Sequence, residues 1–261
     1  MHLILTGATG LVGSAVLNHI ISHGTTSHIT KLTILSRNPS IPLLNTQQPP
    51  PSLKIDVIPH NDFLTYPTSL LSSLSDAEGL IWALGISQNL VSADEYITIT
   101  RDYTIAAAKA FGSNPAREAG KPFKFVFVSG EYATTTPGRF TPFFGRVKGE
   151  TEKALLELNR SVACPDLRVY SARLGGVDPG ADPAVAKATE GKSRTGMRKY
   201  ESYIMPAFRV LFSNMVSPTK ELGRVLTDLA LKDGERLKDG PGISGEGRTI
   251  GNVALRKMAG L

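Results

Sequence analysis

The stretch Leu3-Ile4-Leu5-Thr6-Gly7-Ala8-Thr9-Gly10-Leu11-Val12-Gly13 is an apolar run that breaks into three glycines and then resumes with helical spacing. This pattern predicts a strand, a tight turn and a helix. In such a unit Gly7 makes the turn, Gly10 leaves room for a pyrophosphate, and Gly13 lets the helix pack closely on the strand. The N–H groups and the dipole of the first helical turn favour an anionic ligand there. We therefore expect a dinucleotide site formed by Gly7, Thr9, Gly10, Leu11 and Val12.

Apolar runs and helical patterns alternate along the rest of the chain. We expect further strands at 29–35, 54–58, 79–84, 122–128 and 167–172, and helices at 10–23, 67–74, 93–111 and 144–159. We expect the last of these helices to be polar on one face through Lys148, Glu150, Glu152 and Lys153. Such alternation is typical of right-handed crossovers and a parallel sheet covered on both faces.

The predicted architecture is a single α/β domain over residues 1–261, with a doubly wound parallel sheet of the Rossmann type. Residues 1–176 form its core, and residues 177–261 form a small extension that covers the substrate. The proline-rich stretch 38–52 should be an exposed excursion at a sheet edge, because proline lacks an N–H and fixes φ. Residues 178–193 look irregular, and a helix should run from Ser217 through Leu231.

The composition argues against several other classes of site. Lys and Arg number 29 against 23 Asp and Glu, a net charge of +6, which agrees with an anionic ligand. No run of five basic residues occurs, so we expect no nucleic-acid binding. The one cysteine, Cys164, excludes an intramolecular disulfide, and the five histidines lack the spacing of metal ligands, so we assign no metal.

Location and partners follow from the apolar segments. Met1 is followed almost at once by the first strand, and no apolar run approaches ~20 residues. We therefore expect a cytoplasmic protein that takes a small-molecule substrate and does not attach to a membrane. The amphipathic segment 200–215 should cover the substrate pocket or pack in a homodimer, since its basic face is too thin for a membrane-surface helix.

The residues that follow the strands predict which dinucleotide is held. Arg37 comes directly after the second strand, where an acidic residue would accept from a ribose 2′-hydroxyl and a guanidinium would instead pair with a 2′-phosphate. The cofactor should therefore be NADP(H). Asp62 and Phe63 are expected beside the adenine, and the chain over Ala83-Leu84-Gly85 should pass the pyrophosphate and ribose.

These features together resemble an atypical, extended-type short-chain dehydrogenase/reductase. The resemblance rests on the glycine stretch, Arg37, Trp82-Ala83-Leu84-Gly85, Val128-Ser129 and Phe144-Gly145-Arg146-Val147-Lys148-Gly149-Glu150. Within that superfamily the chain is similar to the small oxidoreductases related to the Tat-interacting protein and to their fungal, sugar-nucleotide-epimerase-like relatives. The resemblance covers about the first 180 residues.

In that family a serine ends the fifth strand, and Tyr-x-x-x-Lys follows on the next helix. Residues four apart share a helix face, so the lysine holds the nicotinamide ribose and lowers the pKa of the tyrosine, which acts as the acid. The resemblance assigns these catalytic positions to Ser129 and Lys148. It also implies that the chain at Arg173-Leu174-Gly175-Gly176 passes the nicotinamide, with Leu174 where the family has proline.

The family's tyrosine is missing, because residue 144 is Phe. Three explanations remain open. Another group could supply the proton, Tyr132 first and then Tyr103, Thr134 or Thr141, with Glu131 as an alternative base and Asp102 as a possible part of the site floor. The protein could instead reduce an activated acceptor such as an iminium or a conjugated system. It could also hold NADP(H) without net redox, as an isomerase, a cyclase or a binding module.

We therefore expect an NADPH-dependent oxidoreductase that acts on a carbonyl or unsaturated small molecule. The alternative is an NADP(H)-binding protein without net redox.

Overall fold

The computed structural model describes residues 1–23, 28–180, 182–190 and 215–261. Its strands are β1 His2–Thr6, β2 Lys31–Ser36, β3 Lys54–Pro59, β4 Gly79–Trp82, β5 Phe123–Gly130, β6 Leu167–Leu174, β7 Gly176–Asp178, β8 Val216–Pro218, β9 Ile243–Ser244 and β10 Thr249–Ile250. Its helices are α1 Leu11–His23, α2 Thr68–Ser73, α3 Ala93–Ile97, α4 Tyr103–Gly112, α5 Phe143–Asn159, α6 Pro183–Ala188, α7 Thr219–Leu231 and α8 Asn252–Ala259. Of the segment 200–215, only Met215 belongs to the described residues.

Eight of these strands form one sheet in the order β3-β2-β1-β4-β5-β6-β10-β9. All pairings are parallel except that of β9 with β10. The order of the first six strands reverses between β1 and β4, so the carboxyl ends of these two strands diverge and open a crevice. This arrangement confirms the predicted doubly wound α/β fold.

Each face of the sheet carries its own hydrophobic core. On one face, Leu3 and Leu5 of β1 pack with α1, α7 and α8. On the other face, Ile4 packs with α4 and α5. Successive side chains of a strand point to opposite faces, so β1 is buried on both sides and reads as a continuous apolar run.

The long helix predicted at 93–111 is divided. Ser92 caps α3 by accepting a hydrogen bond from the N–H of Glu95 at 3.2 Å. A π-helical segment, Thr98–Asp102, then joins α3 to α4. Such segments insert an extra residue into the helical ladder and often occur beside functional sites.

The part of the chain after residue 176 contributes to the core layers as well as to the pocket. Strand β10 pairs with β6, and α7 packs on α1 so closely that a Cβ at Gly223 would overlap the carbonyl oxygen of Ala15. The region 178–193, predicted as irregular, contains α6, which Asp182 caps through the N–H of Val185 at 3.2 Å. Among the described helices, none is both long and apolar enough to cross a bilayer.

Candidate functional site

The glycine turn between β1 and α1 has the geometry that the sequence predicts. Gly7 has a φ of +70°, and a Cβ there would overlap the backbone of Ala83. A Cβ at Gly13 would overlap the carbonyl oxygen of Gly7. At Gly10 the nearest such neighbour lies at 3.4 Å, and its N–H donates to the Gly7 oxygen at 2.8 Å. Gly10 therefore leaves space rather than a free donor, whereas the first N–H groups of α1 have no acceptor within the helix.

A cleft of about 280 Å³ lies beside this turn, at the carboxyl ends of β1, β2 and β4. The structure brings most of the predicted adenosine-side residues together in its wall. The wall also contains Leu35, Ser36 and Asn38, which were not predicted from the sequence. Their position around Arg37 at the end of the second strand could have indicated them. The lining residues are Gly7, Thr9, Gly10, Leu35, Ser36, Arg37, Asn38, Phe63, Ala83, Leu84 and Gly85.

Arg37 lies exposed on the wall of this cleft. The turn that carries it is fixed locally, because Ser36 Oγ accepts from the N–H of Asn38 at 3.3 Å and Asn38 Oδ1 accepts from the N–H of Ser40 at 2.9 Å. Among the ion pairs found in the described ranges, none involves Arg37. The guanidinium is thus available to an anion in the cleft.

The two residues expected beside the adenine differ in placement. Phe63 lines the cleft, packed edge-on against Trp82 with ring centroids 5.8 Å apart. The carboxylate of Asp62 accepts from Thr65 Oγ1 at 2.7 Å and from the N–H of Leu64 at 2.9 Å, so its place beside the adenine stays a prediction. These two bonds lower the pKa of Asp62, which is not among the residues that line the cleft.

A second, larger cleft of about 650 Å³ opens on the other side of the turn. Val12 of α1 forms part of its wall, whereas the side chain of Leu11 lines neither cleft, so Leu11 can offer only its N–H. The walls of the second cleft are largely apolar, with a few polar groups at the end of β5. The lining residues are Val12, Val128, Ser129, Gly130, Glu131, Tyr132, Phe144, Lys148, Leu174, Gly175, Gly176, Val177, Met215, Asn252 and Val253.

A buried polar network lies under this cleft. Ser129 and Arg173 are neighbours in the parallel register of β5 and β6, so their side chains project to the same face. Both reach Glu152 of α5, which is 0% exposed. Ser129 Oγ donates to Glu152 Oε1 at 2.5 Å, and Arg173 grips both carboxylate oxygens at 2.6 to 3.2 Å. The serine hydroxyl proton is therefore directed at Glu152, not at the cleft.

The residues predicted to form the polar face of α5 are divided between two environments, since Glu150 and Lys153 are exposed whereas Glu152 is buried. Phe144, Lys148 and Glu152 follow one another at single-turn spacing, so they share a face, and that face is turned to the sheet. Glu152 is a functional candidate that sequence reasoning missed. The sequence indicates Glu152 through its position four residues after Lys148 on one helix. It also places Arg173 at the end of the strand that neighbours Ser129.

Lys148 lies partly buried in the wall of the second cleft. Its Nζ donates to the carbonyl oxygen of Val128 at 3.4 Å and lies beside Gly130. Burial lowers the pKa of Lys148 to about 8, and the nearby charge of Glu152 opposes that decrease. A lysine in this state exchanges a proton close to neutral pH.

Phe144 and Tyr132 form the rim of the second cleft. Their rings meet edge-to-face at 6.2 Å, and the Tyr132 side chain is 56% exposed. The N–H of Phe144 donates to Gln88 Oε1 at 3.0 Å, which ties the loop after β4 to the start of α5. In the family that the sequence resembles, a tyrosine occupies the position of Phe144, and the phenyl ring has no ionisable proton.

The other candidates for the missing acid lie outside the wall of the second cleft. Tyr103 packs near Phe63, Asp102 pairs with Arg101 at 2.9 Å, and the hydroxyl of Thr141 accepts from the N–H of Gly138 at 2.8 Å. Thr134 interacts with Thr136 at 3.4 Å. The structure therefore leaves Tyr132, Lys148 and Glu131 as the ionisable groups of the cleft wall within the described residues.

The carboxyl end of β6 closes the cleft from the opposite side. Leu174 and Gly175 lie in the wall, and the N–H of Gly175 donates to Ser217 Oγ at 3.2 Å. Ser217 in turn donates to Oδ1 of Asn252 at 2.8 Å. Glu131 Oε2 accepts from the N–H of Asn252 at 2.9 Å, so this carboxylate holds the start of α8. The extension after residue 176 thereby supplies the wall formed by Met215, Asn252 and Val253.

The two clefts together fit an extended dinucleotide. Gly10 leaves room at the glycine turn between them for a pyrophosphate, and the first N–H groups of α1 would face an anion bound there. The cationic wall at Arg37 and the apolar wall around Lys148 would then receive its two ends. The residues present therefore fit a nicotinamide dinucleotide.

Comparison by sequence identifies proteins of biosynthetic gene clusters. The chain is 30% identical over 277 aligned residues to the leucinostatins biosynthesis cluster protein T of Purpureocillium lilacinum, covering 98% of this chain and 94% of that protein. It is 38% identical over 141 residues to the botcinic acid biosynthesis cluster B protein 16 of Botryotinia fuckeliana, covering 53% of this chain and 87% of that protein. No family model matches the chain.

Comparison by structure supports the Rossmann fold. A short-chain type dehydrogenase/reductase from Mycobacterium ulcerans superposes with a TM-score of 0.61 at 13% identity, covering 98% of this chain and 90% of that one. The alternative dihydrofolate reductase FolM from Brucella canis, complexed with NADP, superposes with a TM-score of 0.58 at 14% identity, covering 98% of this chain and 94% of that one. A dTDP-glucose 4,6-dehydratase from Streptomyces venezuelae with NAD bound superposes with a TM-score of 0.59 at 13% identity, covering 100% of this chain and 79% of that one.

Proposed function

The chain belongs to the family of the leucinostatins biosynthesis cluster protein T, and from this premise we propose that it is an NADP(H)-dependent oxidoreductase of secondary metabolism. Its substrate is a carbonyl or otherwise unsaturated small molecule. The observation that carries the proposal is the pair of clefts that meet at the glycine turn, one walled by Arg37 and the other by Ser129 and Lys148.

Arg37 would hold the 2′-phosphate of the cofactor, and Gly10 with the N–H groups of Leu11 and Val12 would hold its pyrophosphate. Leu174 and Gly175 of the second cleft would receive the nicotinamide end. When bound, the cofactor supplies the hydride. The apolar walls exclude water from the reacting atoms and set substrate preference by shape.

Ser129 and Lys148 position the reactants at the end of β5. Because Ser129 donates its proton to Glu152, its oxygen faces the cleft as an acceptor. Lys148 presents an ammonium group to the nicotinamide ribose. We also propose that the protein is related to the Tat-interacting-protein oxidoreductases, is located in the cytoplasm and forms a homodimer.

The test of redox function is direct. Purified protein is incubated with NADPH and a panel of hexanal, cyclohexanone and phenanthrenequinone, and the reduced nicotinamide absorbance is followed. We expect steady loss of absorbance with at least one carbonyl, and a lower rate with NADH. Tight NADPH binding without turnover on an extended panel of carbonyls, enones and imines would contradict an oxidoreductase.

Phe144 favours a second candidate function, a protein that retains NADP(H) without net redox. A phenyl ring cannot exchange a proton, so an isomerase, a cyclase or a binding module could use the same scaffold. Phe144→Tyr separates the two candidates, because it adds only a hydroxyl at the expected position of the acid. Turnover that appears in this variant and is absent from the wild type would support the second candidate.

A further inference from the structure

The proton for the proposed reduction needs a source other than residue 144. Carbonyl reduction forms a C–H bond with the incoming hydride, the π electron pair moves to oxygen, and that oxygen then takes a proton. Of the ionisable groups in the wall of the second cleft, Tyr132 stands exposed on the rim, and the carboxylate of Glu131 is engaged with the start of α8. The Nζ atom of Lys148, a residue of α5, lies at the end of β5 beside Gly130.

We propose that Lys148 itself is the proton donor of this site, delivering its ammonium proton to the substrate oxygen directly or through one water beside the Phe144 ring. The inference rests on the proposed function. Its atoms balance, because Lys148 becomes a neutral amine and regains a proton from solvent through the open cleft. Loss of the tyrosine then moves the acid one helical turn along α5 instead of abolishing it.

The surroundings of Lys148 suit this role. Burial lowers the pKa of Lys148 to about 8, so the amine can both hold and release a proton near neutral pH. Glu152 on the same helix raises that pKa, Arg173 on β6 neutralises part of the Glu152 charge, and Glu131 and Tyr132 face the cleft from the loop after β5. Glu152 acts through Lys148 and Ser129, so we infer that it is a positioning residue.

Lys148→Arg is the sharpest variant, because the guanidinium keeps a positive charge for the ribose but does not release a proton near neutral pH. We expect NADPH affinity to stay within about threefold of the wild type while kcat falls by about 100-fold or more, the usual contribution of a general acid. Lys148→Met should lose both NADPH affinity and turnover. Lys153→Arg changes an exposed lysine on the same helix and is the matched control, with both properties retained.

The pH profile supplies a second readout. The reduction needs the ammonium form, so wild-type kcat should fall as pH rises through about 8. Carbon-13 NMR of the lysine side chains in the protein without cofactor should show one signal that titrates near pH 8 and is absent from Lys148→Arg. Glu152→Gln should shift that titration to lower pH, because the charge that raises the pKa of Lys148 is removed.

The outcomes separate this proposal from the proposed function. If the wild-type protein turns over no carbonyl on the panel, the proposed function fails, whereas the NMR titration still tests the state of Lys148. If the wild type is active and Lys148→Arg retains its kcat and its pH profile, the proposal is overturned. Loss of activity in Tyr132→Phe together with an unchanged pH profile in Lys148→Arg would assign the proton to Tyr132 instead.

Discussion

Replacing Arg173 with Met should destabilise the protein strongly. The substitution removes both hydrogen-bonding groups that grip the carboxylate of Glu152, which has no exposed surface, and leaves Ser129 as its partner. An unpaired buried charge costs about 3–5 kcal/mol. In a chain of this size ~1 kcal/mol corresponds to roughly 2–4 °C in Tm, so we expect a decrease of about 6–20 °C.

Thermal unfolding followed by circular dichroism at neutral pH measures this effect. The double replacement Glu152→Leu with Arg173→Met removes both charges and should recover most of the lost stability, because apolar residues can substitute for a buried ion pair. Arg160→Met is a control, since Arg160 at the end of α5 pairs with Glu246 in solvent and should cost less than about 1 kcal/mol. A Tm for Arg173→Met within about 3 °C of the wild type would refute a buried, charged network.

Three further predictions concern cofactor preference, the glycine turn and the cysteine. Arg37→Ala should weaken NADPH binding by about 10- to 150-fold, the worth of a hydrogen bond to a charged group, and leave NADH binding unchanged in fluorescence titrations. An unchanged NADPH to NADH ratio would remove the 2′-phosphate assignment. Gly13→Ala should abolish NADPH binding and lower the free energy of unfolding by about 1–3 kcal/mol in chemical denaturation. Gly138→Ala, where a Cβ meets open space, should change neither NADPH binding nor the free energy of unfolding. Equal behaviour of the two variants would contradict the close packing at Gly13. Cys164 is buried and its thiol pKa is raised, so a disulfide reagent such as dithionitrobenzoate should modify it only after unfolding; rapid modification of the native protein would disprove that burial.

The parallel core of the fold could be predicted because its strands are buried on both faces. Strands such as β1 and β4 therefore appear as uninterrupted apolar runs, and glycines mark the turn after β1. Strands β7 to β10 could not be found in this way. Each has two or three residues, too few to show a periodic pattern, and their positions are set by neighbours distant in sequence, such as β6 for β10.

The candidate site could be predicted where it depends on backbone motifs. The prediction missed those parts of the site that depend on tertiary contacts. Arg37 and Lys148 follow from their spacing after a strand or within a motif. The role of Asp62 beside the adenine stays a prediction, because its carboxylate already accepts from the N–H of Leu64 in its own turn. Glu152 was assigned only to the polar face of its helix, because nothing local in the sequence shows that Arg173 of β6 reaches its carboxylate.

A crystal structure of the protein with NADP+ tests the central claim most directly. The measured quantity is the distance from Lys148 Nζ to the hydroxyl oxygens of the nicotinamide ribose. We expect about 3 Å, a hydrogen-bonding distance, with the 2′-phosphate at Arg37. A cofactor that lies outside the two clefts, or a nicotinamide end that points away from Lys148, would contradict it.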